Sequence, residues 1–187
     1  MTVIKINARN LNEDVIQGLK EHYENAELEI RVHDAPDSGE ALMDEDEFWG
    51  LIDLLDWSAP EDNNQVVEPI IDALSRLPVA KIYQFYDILS EKLWRLDTQE
   101  HAEAMMRDEP DGLFSADEFL YARCCVIANG QDTYRRVLAA PAEFPVELAF
   151  ESLLYVAAKA YRRKTGKKFV SSPAHNFETG SNTEGWK

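Results

Sequence analysis

Between Met43 and Gly166, apolar side chains recur at intervals of three and four residues, and this helical periodicity constrains the fold more than any other feature. Prolines, glycines and capping residues divide the stretch into about six amphipathic helices. The predicted helices cover approximately residues 44–57, 65–77, 79–106, 115–128, 132–139 and 145–164. A helical domain over residues 43–168 is therefore expected, in a chain whose 187 residues suffice to bury one core.

The first 33 residues have a different pattern. The segments TVIKIN and LEIRV alternate apolar and polar side chains, as half-buried strands do. Between them, apolar residues at helical spacing predict a short helix: Val15, Ile16, Leu19 and Tyr23. The predicted fold class is therefore mainly α, and α+β overall, with a small β-α-β module at residues 1–33. Such a module cannot bury both of its faces alone, so it must pack on the rest of the chain, on a second copy or on a partner.

Two polar segments complete the expected organisation. Residues 34–42 are rich in Pro, Gly, Ser and Asp, which predicts a linker. Residues 169–187 are polar and aperiodic, which predicts a polar tail that Phe169 or Phe177 could attach to the domain.

Charge is both high and unevenly placed. The formal net charge of -16 argues against general nucleic-acid binding, which requires Lys and Arg to replace condensed counterions. No Lys or Arg lies between Arg31 and Arg76, where thirteen Asp and Glu residues fall. A basic cluster lies near the other end of the chain: Lys159, Arg162, Arg163, Lys164, Lys167 and Lys168. This asymmetry favours either a surface that attracts a charged partner or the complementation of helix dipoles.

The compartment is predicted from three features. No apolar run is long enough for a membrane span, and MTVIKINARN lacks the apolar core of a signal peptide. Cys124 and Cys125 are the only cysteines, and their adjacency rules out an ordinary structural disulfide between them. These features predict a reduced, cytoplasmic protein without membrane association.

The stretch DEDEFWGLIDLLDW, residues 44–57, is the candidate interaction surface. Acidic residues in a first helical turn are favoured by the helix dipole, which is the simplest interpretation of the DEDE sequence. The alternative is a docking surface, with tryptophans as interface anchors. The candidate interaction residues are Asp44, Glu45, Asp46, Glu47, Trp49, Asp53, Asp56 and Trp57. A metal site would need several oxygens converging from different elements, so no metal ion is predicted here.

No motif for a catalytic site or a cofactor is present. The sequence lacks a phosphate-binding loop, GxGxxG, HExxH and any Cys/His cluster with metal spacing, and the four histidines fall on separate elements. Cys124 lies in the apolar run ARCCVIA, which is typical of a buried, inert thiol. Arg123 in the same run must find a carboxylate or a carbonyl group if it is buried.

Several segments together resemble a known family. FWGLID, LWRLD, SADEFLYAR, VIANGQDTYRRVLAAP and VELAFESLLYVA follow in an order that resembles the bacterial family called domain of unknown function 4240. The matching positions are Trp49, Ser115, Asp117, Phe119, Arg123, Gly130, Tyr134 and Pro141. The resemblance implies a predominantly helical fold and no particular activity. Separately, residues 1–32 are similar to the start of small bacterial antitoxin-like proteins.

These observations favour a non-enzymatic interaction protein, antitoxin-like or immunity-like, whose acidic face between Asp34 and Asp72 binds a basic protein partner. Self-association through a strand at residues 3–7 is a further possibility. The alternative is an uncharacterised enzyme or small-molecule-binding protein. Its pocket between helices would be lined by Asp97, Asp117, Arg123 and Tyr134, which should then converge on an open cavity.

Overall fold

The structure is a computed structural model that describes residues 13–22, 42–58, 60–108, 113–146 and 148–187. The chain divides into two units, Met1–Ala41 and Leu42–Lys187. In the first unit the described element is helix α1, Glu13–His22.

The predicted α+β class with a β-α-β module is wrong. The described residues form helices and connecting segments with no strand. The helix of the module is present as α1, whereas both segments predicted as strands, and residues 34–41 of the linker, lie outside the described residues. Alternation over five or six residues is weak evidence for a strand, because packing against a neighbouring surface decides strand formation more than local sequence does. Residues 3–7, the segment considered for self-association, lie outside the described residues as well.

The second unit contains seven α-helices among its described residues. They are α2 (Glu45–Ile52), α3 (Asn63–Arg76), α4 (Val79–Arg95), α5 (Gln99–Met105), α6 (Ala116–Ala128), α7 (Gly130–Ala139) and α8 (Val156–Thr165). Two short 3-10 helices, Pro141–Glu143 and Glu151–Tyr155, lie between α7 and α8. None of the described helices combines the length and apolar character that crossing a bilayer requires.

Capping residues explain where several helices begin. Asp44 accepts a hydrogen bond from Glu47 N before α2, Thr98 from His101 N before α5, and Ser115 from Glu118 N before α6. The cap at Thr98 is the reason that the predicted helix 79–106 is divided into α4 and α5. Gly166 ends α8 in the left-handed conformation, with φ of +70°, which glycine adopts without steric cost.

Helices α4 and α6 lie at the centre of the core. Helix α4 packs against α2, α3, α6 and α8, and α3 packs along α8. Every residue of α6 from Phe119 to Ala128 is buried except the partly buried Tyr121. A helix that is apolar on all sides in this way lies inside the domain.

Residues 169–187, predicted as a polar tail, run along α4 and include turns at 178–181 and 182–185, and we call this segment the C-terminal strap. From Phe169 to Ser181 its residues alternate between partly buried and exposed, so every second side chain faces the helices. The strap runs in the same direction as α4. Phe169 contacts Tyr83, Ala174 N donates to the Asp87 carboxylate, and the Asn182 amide donates to the Trp94 carbonyl oxygen. Phe169 and Phe177 both contact Tyr86.

Candidate functional site

The acidic first turn of α2 is mostly engaged inside the domain. The Asp44 side chain caps the helix, accepting from Glu47 N at 2.8 Å. Glu45 Oε1 accepts from Lys92 Nζ at 2.8 Å, and Glu47 pairs with Lys81, so both carboxylates connect α2 to α4. Of the four residues 44–47, Asp46 is exposed with no ion-pair partner among the described residues.

Lys92 lies in an aromatic chamber that the sequence analysis did not identify. Its side chain is 2% exposed, and Nζ lies 5.9, 5.4 and 5.2 Å from the ring centres of Phe48, Trp49 and Tyr134. These rings come from α2 and α7, so the lysine connects three helices. We call this arrangement of Lys92, Glu45 and the three rings the Lys92 chamber. The sequence contains one indication that Lys92 is buried: it lies three residues after Leu89 and seven after Phe85, on the apolar stripe of α4.

Two further polar groups of these rings, Trp49 Nε1 and the Tyr134 hydroxyl, differ in their hydrogen bonding. With the Gln131 amide oxygen turned toward them, Trp49 Nε1 and Arg135 Nη2 donate to it at 3.1 and 2.8 Å. The Tyr134 hydroxyl, in contrast, is buried without a hydrogen-bond partner among the described residues. Burial raises the pKa of Tyr134, so its hydroxyl stays protonated and is a donor without an acceptor.

The four residues of the alternative pocket do not converge on an open cavity. Asp97 and Arg123 are fully buried together, with Arg123 Nη1 3.8 Å from Asp97 Oδ1. Asp117 is exposed in the first turn of α6, and Tyr134 lies in the Lys92 chamber.

Both oxygens of the Asp97 carboxylate accept hydrogen bonds from the C-terminal strap. Oδ1 accepts from Gly180 N at 3.1 Å and from Trp186 Nε1 at 2.9 Å, and Oδ2 accepts from Ser181 Oγ at 3.3 Å and Asn182 N at 3.0 Å. With four donors from the strap around it, this carboxylate is engaged in holding the C terminus.

Arg123 has the same role from the other side. It donates to the Leu93 carbonyl oxygen at 3.0 Å and to Thr179 Oγ1 at 2.9 Å, and its guanidinium lies 4.8 Å from the ring centre of Phe119. The expectation that a buried Arg123 finds a carboxylate or a carbonyl is met by Asp97 and Leu93. The arrangement resembles a structural ion pair more than a ligand site.

His101 and the cysteines are also packed into the interior. His101 Nε2 lies 3.1 Å from the Val137 carbonyl oxygen, so it carries the proton, and Nδ1 accepts from the Thr98 hydroxyl at 2.7 Å. Burial lowers the pKa of His101 and raises that of Cys124 and Cys125. Both thiols are free and buried, and the raised pKa leaves them protonated and unreactive near neutral pH.

The segment joining α2 to α3 forms an exposed surface that we call the α2–α3 corner. It consists of residues 53–58 with Pro60 and Glu61, all of them exposed except Leu55, which is buried in the core. Trp57 is 43% exposed and Leu54 is 42% exposed, although both are large apolar side chains. The Trp57 ring lies 5.1 Å from that of Phe150, which supports one of its faces and leaves the rest open.

The corner carries negative charge that no cation balances. Among the described residues, no Lys or Arg is within ion-pair distance of Asp53, Asp56 or Glu61, which are all exposed. A hydrogen bond from Ser58 N lowers the pKa of Asp56, so this carboxylate is charged at neutral pH. Other acidic residues of α3 are paired: Glu68 with Arg163 and Asp72 with Arg76.

Some residues of the basic cluster of α8 form hydrogen bonds or ion pairs within the domain. Lys159 donates to Asn64 Oδ1 at 3.0 Å, and Arg163 pairs with Glu68, across an open groove of about 440 Å³ between α3 and α8. A second open groove of about 600 Å³ lies where α5, α7 and the end of the strap meet, and it is lined by side chains of both charges. No group of three or more His, Cys, Asp and Glu side chains suited to a metal ion occurs in the described part of the chain.

Comparison with known proteins identifies one family. The family model described as "Protein of unknown function (DUF4240)" matches residues 43–163, which is most of the second unit. No curated protein and no solved structure matches the chain.

Proposed function

The chain belongs to the DUF4240 family of proteins of unknown function, and from its own residues we propose that it is a non-enzymatic interaction protein that binds a basic protein partner through the α2–α3 corner. The expected role is antitoxin-like or immunity-like, in which the corner covers a basic surface of the partner. We place this interaction in the cytoplasm, in keeping with the two free, buried cysteines.

One observation carries the proposal: an exposed tryptophan and an exposed leucine lie among carboxylates without cation partners. Tryptophan is among the residues that most often dominate binding energy at interfaces. Unbalanced carboxylates around it attract a positively charged surface and repel acidic ones, which contributes specificity and association rate. Trp57 and Leu54 would supply buried contacts, while Asp53, Asp56 and Glu61 would select a basic partner.

Two further large side chains are exposed in the segment around Phe150, the residue that contacts Trp57. Leu148 is 53% exposed two residues before Phe150, the residue under Trp57, and Tyr155 is exposed while its hydroxyl donates to Glu151. The proposed surface is the segment between α2 and α3, and Leu148 is a candidate for a further contact with the partner. Asp44, Glu45, Glu47 and Trp49, also predicted as interaction residues, are bonded or buried within the domain and are not part of the proposed surface.

The test is capture from an extract of the native cell with four forms of the tagged protein. They are the wild type, the corner variant D53N/D56N/E61Q, W57A, and a control variant E100Q/D108N/E184Q. The control loses the same three charges at exposed positions outside the corner. The proposal predicts a basic protein captured by the wild type and the control, and lost with the corner variant and W57A.

Circular dichroism should show that all four forms are folded. Equal capture of the same protein by the corner variant and the wild type would show that the partner does not bind through the charges of the corner. Failure of the wild type to capture any protein beyond a tag-only control would contradict the proposed function as a whole.

A further inference from the structure

The Lys92 chamber contains a buried positive charge whose counter-charge comes from the surface. An ammonium group taken out of water requires an anion or several hydrogen-bond acceptors nearby. Here the three aromatic rings interact with Lys92 Nζ through their faces, and one carboxylate, that of Glu45, forms the ion pair.

Glu45 is a loosely held counterion. Its side chain is 57% exposed, and its only hydrogen bond among the described residues is to Lys92. Holding an exposed glutamate side chain in one conformation costs conformational entropy. The side chain regains that entropy when it leaves Lys92 and turns out to solvent. The buried lysine is fixed by its surroundings, whereas its partner can leave for solvent.

Tyr134, one of the three rings, carries a second buried donor at its edge. Tyr134 is 4% exposed, its hydroxyl has no hydrogen-bond partner among the described residues, and the charges of Arg95, Glu91 and Glu45 act on it. The hydrogen bond from Lys92 is the main cause that lowers the pKa of Glu45, and the charges of Lys92, Arg95 and Arg135 lower it further. The position of the Glu45 carboxylate therefore favours a negative group, and the charge of Glu45 acts on the nearby Tyr134 hydroxyl, which has no acceptor among the described residues.

We propose that the Lys92 chamber is a binding site for a small carboxylate, which Glu45 occupies in the ligand-free protein and a ligand enters when Glu45 turns out to solvent. One oxygen of the ligand carboxylate would accept from Lys92 Nζ, and the other from the Tyr134 hydroxyl. Arg95 and Arg135 would attract the anion at the rim. This site is separate from the α2–α3 corner and does not depend on the proposed partner.

The experiment removes the intramolecular carboxylate and offers acetate in its place. Titration of E45A with sodium acetate should give a saturable shift of the Trp49 indole signal in ¹H–¹⁵N spectra, together with a rise in melting temperature. Sodium chloride at the same ionic strength should produce neither, and phosphate distinguishes a carboxylate site from a general anion site. The Trp49 signal is assigned among the four tryptophans with W49F.

The wild type should need at least about tenfold more acetate for half-saturation, because the tethered Glu45 competes at a high effective concentration. The matched control is E47A, which also removes an α2 carboxylate paired with an α4 lysine but lies outside the chamber. E47A should show the wild-type response. Equal responses of E45A and E47A, or a shift in E45A that chloride reproduces, would overturn the proposal.

A second variant tests the role of Tyr134 without loss of a bonded group. Y134F removes a hydroxyl for which the described part of the chain offers no partner, so the protein should fold with unchanged or slightly greater stability. In the E45A background it should weaken acetate binding by about tenfold, the effect of losing one hydrogen bond to a charged group. An unchanged acetate affinity in E45A/Y134F would contradict the two-donor site.

Discussion

At the scale of single residues, Asp97 shows how a buried charge can be fully satisfied without forming a ligand site. Its two oxygens accept four hydrogen bonds from residues 180–186, and Arg123 lies alongside. The sequence indicated that Arg123, in an apolar helix, needs a carboxylate or carbonyl partner. It did not indicate which, because Asp97 and Thr179 are distant in sequence and only the folded chain brings them together.

We expect D97N to destabilise the protein by about 3–5 kcal/mol, the usual effect of breaking a buried ion pair. The new amide nitrogen would face hydrogen-bond donors, and Arg123 would lose its nearest carboxylate. Urea unfolding followed by circular dichroism measures the change in the free energy of unfolding. The control is D72N, which breaks an exposed pair with Arg76 and should cost less than about 1 kcal/mol. A similar loss in both variants would contradict the role of Asp97 as the anchor of the strap.

At the scale of elements, the helical periodicity predicted where most helices lie, whereas the C-terminal strap was beyond what it could predict. Alternate burial over residues 169–181 depends on the surface of α4, and no local pattern of apolar residues marks it. Alternation within TVIKIN and LEIRV, in contrast, predicted strands that the described residues do not contain. For the strap, packing between distant segments decides the structure, and sequence periodicity reports only the stronger local preferences.

Two glycines provide a test of the strap with opposite expected signs. A Cβ on Gly185 would lie 2.8 Å from Thr98 Cγ2 and 3.0 Å from the Asp97 carbonyl oxygen, so G185A should destabilise the protein by about 1–3 kcal/mol. Gly50 is exposed within α2 and has no atom within 4 Å of the added Cβ. G50A should therefore stabilise the protein by about 0.5–1 kcal/mol. Thermal unfolding of both variants measures the difference, and stabilisation by G185A would show that the strap does not pack closely at Thr98.

At the scale of the whole molecule, the net charge of -16 is distributed by the fold into paired and unpaired groups. Ion pairs between elements use Glu45, Glu47 and Glu68, while the α2–α3 corner keeps Asp53, Asp56 and Glu61 unpaired among the described residues. The sequence indicated an acidic region with tryptophans. It could not indicate which carboxylates point inward, since that depends on the lysines of α4 and the arginines of α8.

The most direct measurement is the affinity of the purified captured partner for the wild type, the corner variant and the control variant, by isothermal titration at two salt concentrations. The corner variant should bind at least about tenfold more weakly and lose most of the salt dependence, because both arise from the uncompensated carboxylates. The control variant should bind within about twofold of the wild type, because charges outside the interface contribute little at physiological salt. Equal affinity and equal salt dependence in all three proteins would contradict binding through the α2–α3 corner.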